Sequence, residues 1–242
     1  MSVHKSFVCG MMVQTLFFCL IFNKVSIAKI SGTEHLLYTI QINGKSYKET
    51  VIVHRTEDLL QYESCGDYTS PKVYAPGGNH CWDVLSTSDG YPRLIEYHVG
   101  PNTMQMTFTK DGHFEMEGFW DGKKCSNQKV FENNVYVEIS SLIRTMNLKQ
   151  NTPFIFELIR LPEFPMIKTH QLYVQILNDS IVNVPAGRFS CKKILFSASG
   201  YKGYFFKAYF YVSIDERQLI VKIENLPIGG KTELVKMSFE PV

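Results

Sequence analysis

Apolar and polar residues alternate along most of the chain, in short runs separated by turn residues, which is the pattern of antiparallel sheet. "LLYTIQINGKSYKETVIV" holds two such runs joined at Asn43-Gly44, a dipeptide suited to a tight hairpin because both central residues must accept positive φ. "TMQMTFTKDGHFEMEGFW" repeats the plan. Met104, Met106 and Phe108 share one face, Asp111-Gly112 turns the chain, and Phe114 and Met116 return on the next strand, with a further turn at Asp121-Gly122. Later, Phe206, Ala208, Phe210 and Val212 alternate with Lys207, Tyr209 and Tyr211, and Leu219, Val221 and Ile223 alternate with Gln218, Ile220 and Lys222.

One segment departs from this period. In "NNVYVEISSLIRTMNL", Val135, Ile139, Leu142, Ile143 and Met146 recur at helical spacing, which predicts one short amphipathic helix laid against the sheet. About a dozen strands and one helix give a mainly β fold: a curved antiparallel sheet or half-open β-barrel. Residues 29–242 read as a single β-rich domain, with the competing partition a subdomain split near 162–165. "VNVPAGRFSCKKI" places Pro185, Ala186 and Gly187 between two strand-like runs. Pro185 cannot donate to a ladder and Gly187 accepts angles that other residues avoid, so the stretch is expected to be a corner.

The first residues change the picture of the compartment. Lys5 precedes an apolar run from Phe7 to Phe22, and Ser26-Ile27-Ala28 follows, which is the order of a cleaved signal peptide over residues 1–28. The alternative is a retained anchor, but Gln14 interrupts the run and it falls short of the roughly 20 residues that span a bilayer. A lipidated Cys9 or Cys19 is a further alternative, although Val8 and Phe18 precede them where a small residue is wanted. Lys5 and Lys24 carry the whole formal charge of +2. Without them the chain is neutral, which argues against nucleic acid as a partner.

Removal of that segment leaves Cys65, Cys81, Cys125 and Cys191, an even number in a chain bound for an oxidising space, where disulfides are the expected fate. Three pairings are open. Cys65 with Cys81 would close a loop rich in Pro and Gly, and Cys125 with Cys191 follows by elimination. No C-x-x-C pair supports zinc, and no cofactor is expected.

Candidate chemistry is sparse. Cys81 followed by Trp82, with His170 downstream, has the outline of a cysteine hydrolase, but no helix start follows Cys81 to stabilise a thiolate. His98 and His113 could meet on neighbouring strands, yet no histidine pair has the spacing that preorganises a metal site. Glu115 and Glu117 share a strand face, which fits an acid and base pair less well than the solvated side of an amphipathic strand. Ser197 and Ser199 lack a nucleophile-elbow context, and Asn178 opens a glycosylation sequon.

The order "VPAGRFSCKKI", "YFFKAYFYVS", "DERQLIVKIEN" and "GGKTELVKM" resembles a bacterial family of exported proteins known as domain of unknown function 3108. The matching positions are Val184, Pro185, Ala186, Gly187 and Phe189, then Asp215, Leu219 to Ile223, and Glu233-Leu234; "DGYPRLIEYHV" and "PFIFELI" fit the same plan. The cysteines and the stretch "SCGDYTSPKVYAPGGNHCW" depart from it. The resemblance implies a periplasmic or otherwise exported envelope protein, half-open-barrel in type and similar in outline to lipid carriers, and it brings no catalytic residues. The expected function is non-enzymatic: binding of a lipid or other apolar or amphiphilic ligand, or help in envelope assembly. A carrier calls for an apolar cleft between the sheet and the helix around Leu142. The alternative is a scaffold that docks another envelope protein by a strand edge or by the loop from Tyr74 to Cys81; the remote alternative is the hydrolase built on Cys81.

Overall fold

The structure, a computed structural model, describes residues 31–42, 44–66, 80–87, 90–131, 135–136, 139–149, 153–159, 169–198, 207–225 and 230–241. The expected signal segment, the 162–165 split, Ser199 and most of the loop from Tyr74 to Cys81 lie outside the described residues. Fifteen strands form one sheet with a single described helix. They are β1 (Gly32–Ile42), β2 (Lys45–Arg55), β3 (Leu59–Gly66), β4 (His80–Thr87), β5 (Pro92–Val99), β6 (Asn102–Phe108), β7 (His113–Trp120), β8 (Lys123–Val130), β9 (Val135–Tyr136), helix α1 (Ile139–Thr145), β10 (Phe154–Ile159), β11 (Thr169–Val184), β12 (Gly187–Ala198), β13 (Lys207–Ser213), β14 (Ile220–Asn225) and β15 (Gly230–Pro241).

The sheet is open and curved, and its order is β8-β7-β6-β5-β4-β3-β2-β1-β15-β14-β13-β12-β11-β10-β9. The first strand pairs with the last, so a meander runs outward on each side of β1. Among the described strands only β9 and β10 pair in parallel. Turn chemistry sets the registers. Asp121 and Gly122, at φ 50° and 72°, join Trp120 to Lys123 as a two-residue hairpin, the geometry that needs positive φ at both positions. Pro185 and Ala186 also join Val184 to Gly187 as a two-residue turn, but with negative φ at both, as the proline ring requires, and it is Gly187 that takes φ 137°. The expected corner is thus a hairpin turn, and its Ala186 N–H donates to the Leu234 carbonyl of β15 at 3.2 Å.

Two elements differ from their sequence reading. Val135 and Tyr136 are strand, paired with Glu157 and Leu158 of β10; helix begins only at Ile139. The apolar spacing that joins Val135 to Ile139 fits either period when strand and helix abut, and Val-Tyr-Val favours extended backbone. In β14 the simple alternation fails because a bulge opens opposite Tyr211 and Val212, where Lys222 and Ile220 are the partners. The extra residue puts Ile223 against the smaller core with Ile220, although its spacing from Leu219 and Val221, which enter the larger one, predicts the other face, since a bulge shifts the phase of the strand.

The two cores position everything else. The larger lines the inner face of β1–β7, with Leu36, Val51, Val53, Ile95, Met106 and Phe114 among its members. The smaller sandwiches α1 against β10–β13 through Leu142, Ile143, Phe156, Val174, Phe196 and Phe210. A bulge between Ile176 and Asp179 flips β11. Its proximal Leu172, Val174 and Ile176 meet the helix, while its distal Val182 joins the larger core with Cys191 of β12.

Candidate functional site

Both ends of the inner face carry polar groups, and they differ in kind. At one end Glu34 of β1 points inward in phase with Leu36 and Tyr38. Arg144 of α1 donates from Nη1 to its Oε2 at 2.6 Å, with side chains 1% and 4% exposed for Arg144 and Glu34. Arg144 also donates to the Arg217 carbonyl at 3.3 Å. Arg55 of β2 reaches the Glu216 and Arg217 carbonyls at 3.5 and 3.4 Å. Gln218 donates to the Met146 carbonyl at 3.0 Å. Burial opposes the Arg144 charge, but Glu34 and the nearby Tyr38 and Tyr62 outweigh it and hold its pKa above the ordinary value. Burial, and then the charge of Arg144, lowers that of Arg55. This network fastens the helix, β1, β2 and the β13–β14 turn together and closes that end.

The other end is half-open. Inner positions of β1 pass from buried Leu36 and Tyr38 to half-buried Ile40 and Ile42. Those of β2 pass from buried Val53 and Val51 to half-buried Glu49 and Tyr47. On β4, Val84 is buried and Trp82 half-buried; on β7, Phe114 and Met116 are buried, and Gly118 and Trp120 half-buried. Tyr97 remains only 1% exposed because both tryptophans lie on it. Trp82 meets its ring at 4.4 Å between centroids and Trp120 stacks at 6.4 Å and 14°. Gly118 makes room here, since a Cβ would lie 2.1 Å from the Thr103 carbonyl oxygen.

Glu49 is the charged group of this rim. It lies opposite Tyr38 on β1, and its carboxylate accepts a short hydrogen bond from the hydroxyl of buried Ser64. Ser64 in turn lies opposite Trp82. Burial raises the Glu49 carboxyl above the usual carboxylate range, with the Ser64 hydrogen bond pulling the other way. Among the residues whose side chains the structure describes, which leaves out His80 in the same row across Gly66, Glu49 has no cationic partner. This end of the inner face thus sets one carboxyl and the hydroxyl that bonds it among half-buried aromatic rings.

The structure sorts the residues singled out in the sequence. Cys65 and Cys81 lie opposite each other on β3 and β4 and form a disulfide. That removes the thiol a hydrolase would need. Cys125 and Cys191 are free thiols, correcting the pairing by elimination. Cys125 is on the edge strand β8, and ten strands separate it from β12 along the sheet. Burial, and then Asp215, pushes the Cys191 thiol up to about 11. Pro185, Ala186 and Gly187 form the β11–β12 turn and present no ionisable group. His98 and His113 do not meet: β6 separates their strands, and they stand at opposite ends of it. Glu115 and Glu117 are exposed on the outer face beside Gln128 and Ser126. The cleft expected beside Leu142 is closed, with Leu142 and Ile143 buried in the helix core.

Glu34, Arg144, Glu49 and Ser64 were missed in the sequence. Their signal is phase: each is a polar residue at a position where the local period demands an apolar one. Glu34 precedes Leu36 and Tyr38 at a spacing of two, and Glu49 precedes Val51 and Val53 likewise.

No protein-family model matches this chain, and no curated protein matches it. A solved β-barrel-like protein of the domain of unknown function 1849 from Brucella abortus has 8% identity and a TM-score of 0.55 over 88% of this chain and 100% of its own. A protein with a YmcC-like fold from Bacteroides fragilis has 13% identity and a TM-score of 0.33 over 85% and 95%. A protein of the domain of unknown function 1329 family from Desulfovibrio piger has 8% identity and a TM-score of 0.27 over 88% and 86%. The first shows a shared β-barrel-like fold; the other two superpose too little to bear on it. Membership of the domain of unknown function 3108 family is not shown. What stands is a β-barrel-like chain similar in fold to a bacterial protein of unknown function.

Proposed function

We propose that this chain is a non-enzymatic, exported envelope protein that binds an apolar or amphiphilic ligand at the half-open rim of its inner face. The observation that carries the reading is the fall in burial along β1, β2, β4 and β7 toward Trp82, Trp120 and Glu49, while the opposite end is fastened by Arg144 and Glu34. Apolar walls with a few placed polar groups are the usual make-up of a small-molecule site. Export is supported by the apolar leader in the sequence and by the Cys65–Cys81 bridge, which suits an oxidising compartment. The resemblance to domain of unknown function 3108, read from the turn at Pro185 and the strands after it, points the same way.

The scaffold reading has weaker support. The edge strand β8 is exposed, but it carries Lys123, Lys124 and Lys129, and lysines on an edge oppose pairing with another strand.

Extraction of the purified protein followed by mass spectrometry tests the proposal. A copurifying amphiphile, or saturable uptake of one by stripped protein, is expected. Protein that arrives empty and takes up no amphiphile in titration would remove the reading.

A further inference from the structure

The rim has a chemistry of its own beyond being apolar. Glu49 points into it beside the accessible rings of Tyr47, on the same strand face, and Trp82, opposite its hydrogen-bond partner Ser64. Among the residues whose side chains the structure describes, that hydroxyl is the sole partner of the carboxylate. Placing a carboxylate where water is partly excluded is unfavourable unless a counter-charge arrives. Aromatic faces attract cations through their quadrupole, more strongly when the cation is desolvated. An ammonium group satisfies both features, whereas a sulfate or phosphate would meet the carboxylate as a like charge. At this end of the face the other charged side chains that the structure describes, Lys45 and Lys123, are exposed. Lys45 is four residues from Glu49, about 13 Å along the strand at a rise near 3.3 Å per residue.

We infer that the rim recognises an amphiphile bearing an ammonium headgroup, with Glu49 as the counter-charge and the rings of Tyr47 and Trp82 as walls. This rests on the ligand-binding reading and adds the headgroup to it. Ser64 holds the carboxylate in place, and the apolar tail lies along the Trp82–Tyr97–Trp120 surface.

Calorimetric titration at pH 7 with monomeric dodecyltrimethylammonium, dodecyl maltoside and dodecyl sulfate tests it. The three share a tail and differ in headgroup charge. The ammonium compound is expected to bind about tenfold more tightly than the maltoside, the order of one desolvated cation–π and carboxylate contact, and the sulfate most weakly. Glu49→Gln should cut the ammonium preference over the maltoside to about threefold, the share left to the rings. Equal affinities for the two in the native protein, or a preference undiminished in Glu49→Gln, would overturn the inference while leaving amphiphile binding intact. Failure of all three to bind would remove both. The comparison of headgroups on the native protein holds even if the variant does not fold.

Discussion

Glu34 and Arg144 show what a single buried pair does in a sheet this open. Each is almost wholly removed from water, so removing one partner leaves the other charged and unpaired. Arg144→Ala is expected to cost about 3–5 kcal/mol, while replacing both by apolar residues of similar volume should cost far less. Urea unfolding of the two variants checks this, and a mild loss for Arg144→Ala would show the pair to be dispensable. Glu49 behaves oppositely, because burial raises its pKa above the unfolded value. Between those two values the folded state holds more protons than the unfolded one, so stability falls as pH rises through that window. Glu49→Gln removes the effect. Its urea midpoint should match that of the native protein near pH 4 and exceed it at pH 7, and a difference that does not grow with pH would contradict the assignment. At Cys191, a thiol pushed up to about 11 by burial stays protonated at neutral pH and should resist alkylation until the protein is unfolded.

Among the elements, β3 and β4 are tied by the Cys65–Cys81 bridge, with a sequence separation of 16. Replacing both cysteines by serine should cost about 3 kcal/mol by the loop-entropy argument. Non-reducing peptide mapping should find this bridge, with Cys125 and Cys191 alkylated after denaturation. Gly118 leaves no room for a side chain in the β6–β7 pair. A side chain there would press on the backbone carbonyl of Thr103, so Gly118→Val is expected to destabilise by about 1–3 kcal/mol as an overpacked site, measurable by thermal denaturation. Much at this scale was legible beforehand. The turns at Gly44, Asp111-Gly112, Asp121-Gly122 and Pro185-Ala186 follow from residues that bear unusual backbone angles or lack a donor. Met104, Met106, Phe108, Phe114 and Met116 face the core as their alternation requires. The errors came where the period changes within a few residues. Val135 and Ile139 belong to a strand and a helix that abut, and bulges in β11 and β14 reverse which residues point inward. Nothing in the local sequence marks an extra residue in a ladder, because the bulge is set by the partner strand.

At the scale of the whole molecule, the sheet turns one concave face inward, fastens one end with a helix and an ion pair, and leaves the other half-open. The curved sheet with one helix was readable from alternation alone. The site was not, because its polar members are single residues on successive strands and only the register sets Glu49 diagonal to Ser64, which lies opposite Trp82. The helix covers the smaller core through Leu142 and Ile143, so the proposed binding surface lies at the rim and not beside Leu142. Trp82 and Trp120 are the chain's two tryptophans, and both stand on that rim, so intrinsic fluorescence reports on the site directly. Titration with an amphiphile brominated along its tail, kept below its micelle concentration, is the most direct measurement. Saturable quenching of tryptophan emission is predicted. Emission that is unchanged, or that falls linearly without saturation, would contradict binding at the rim.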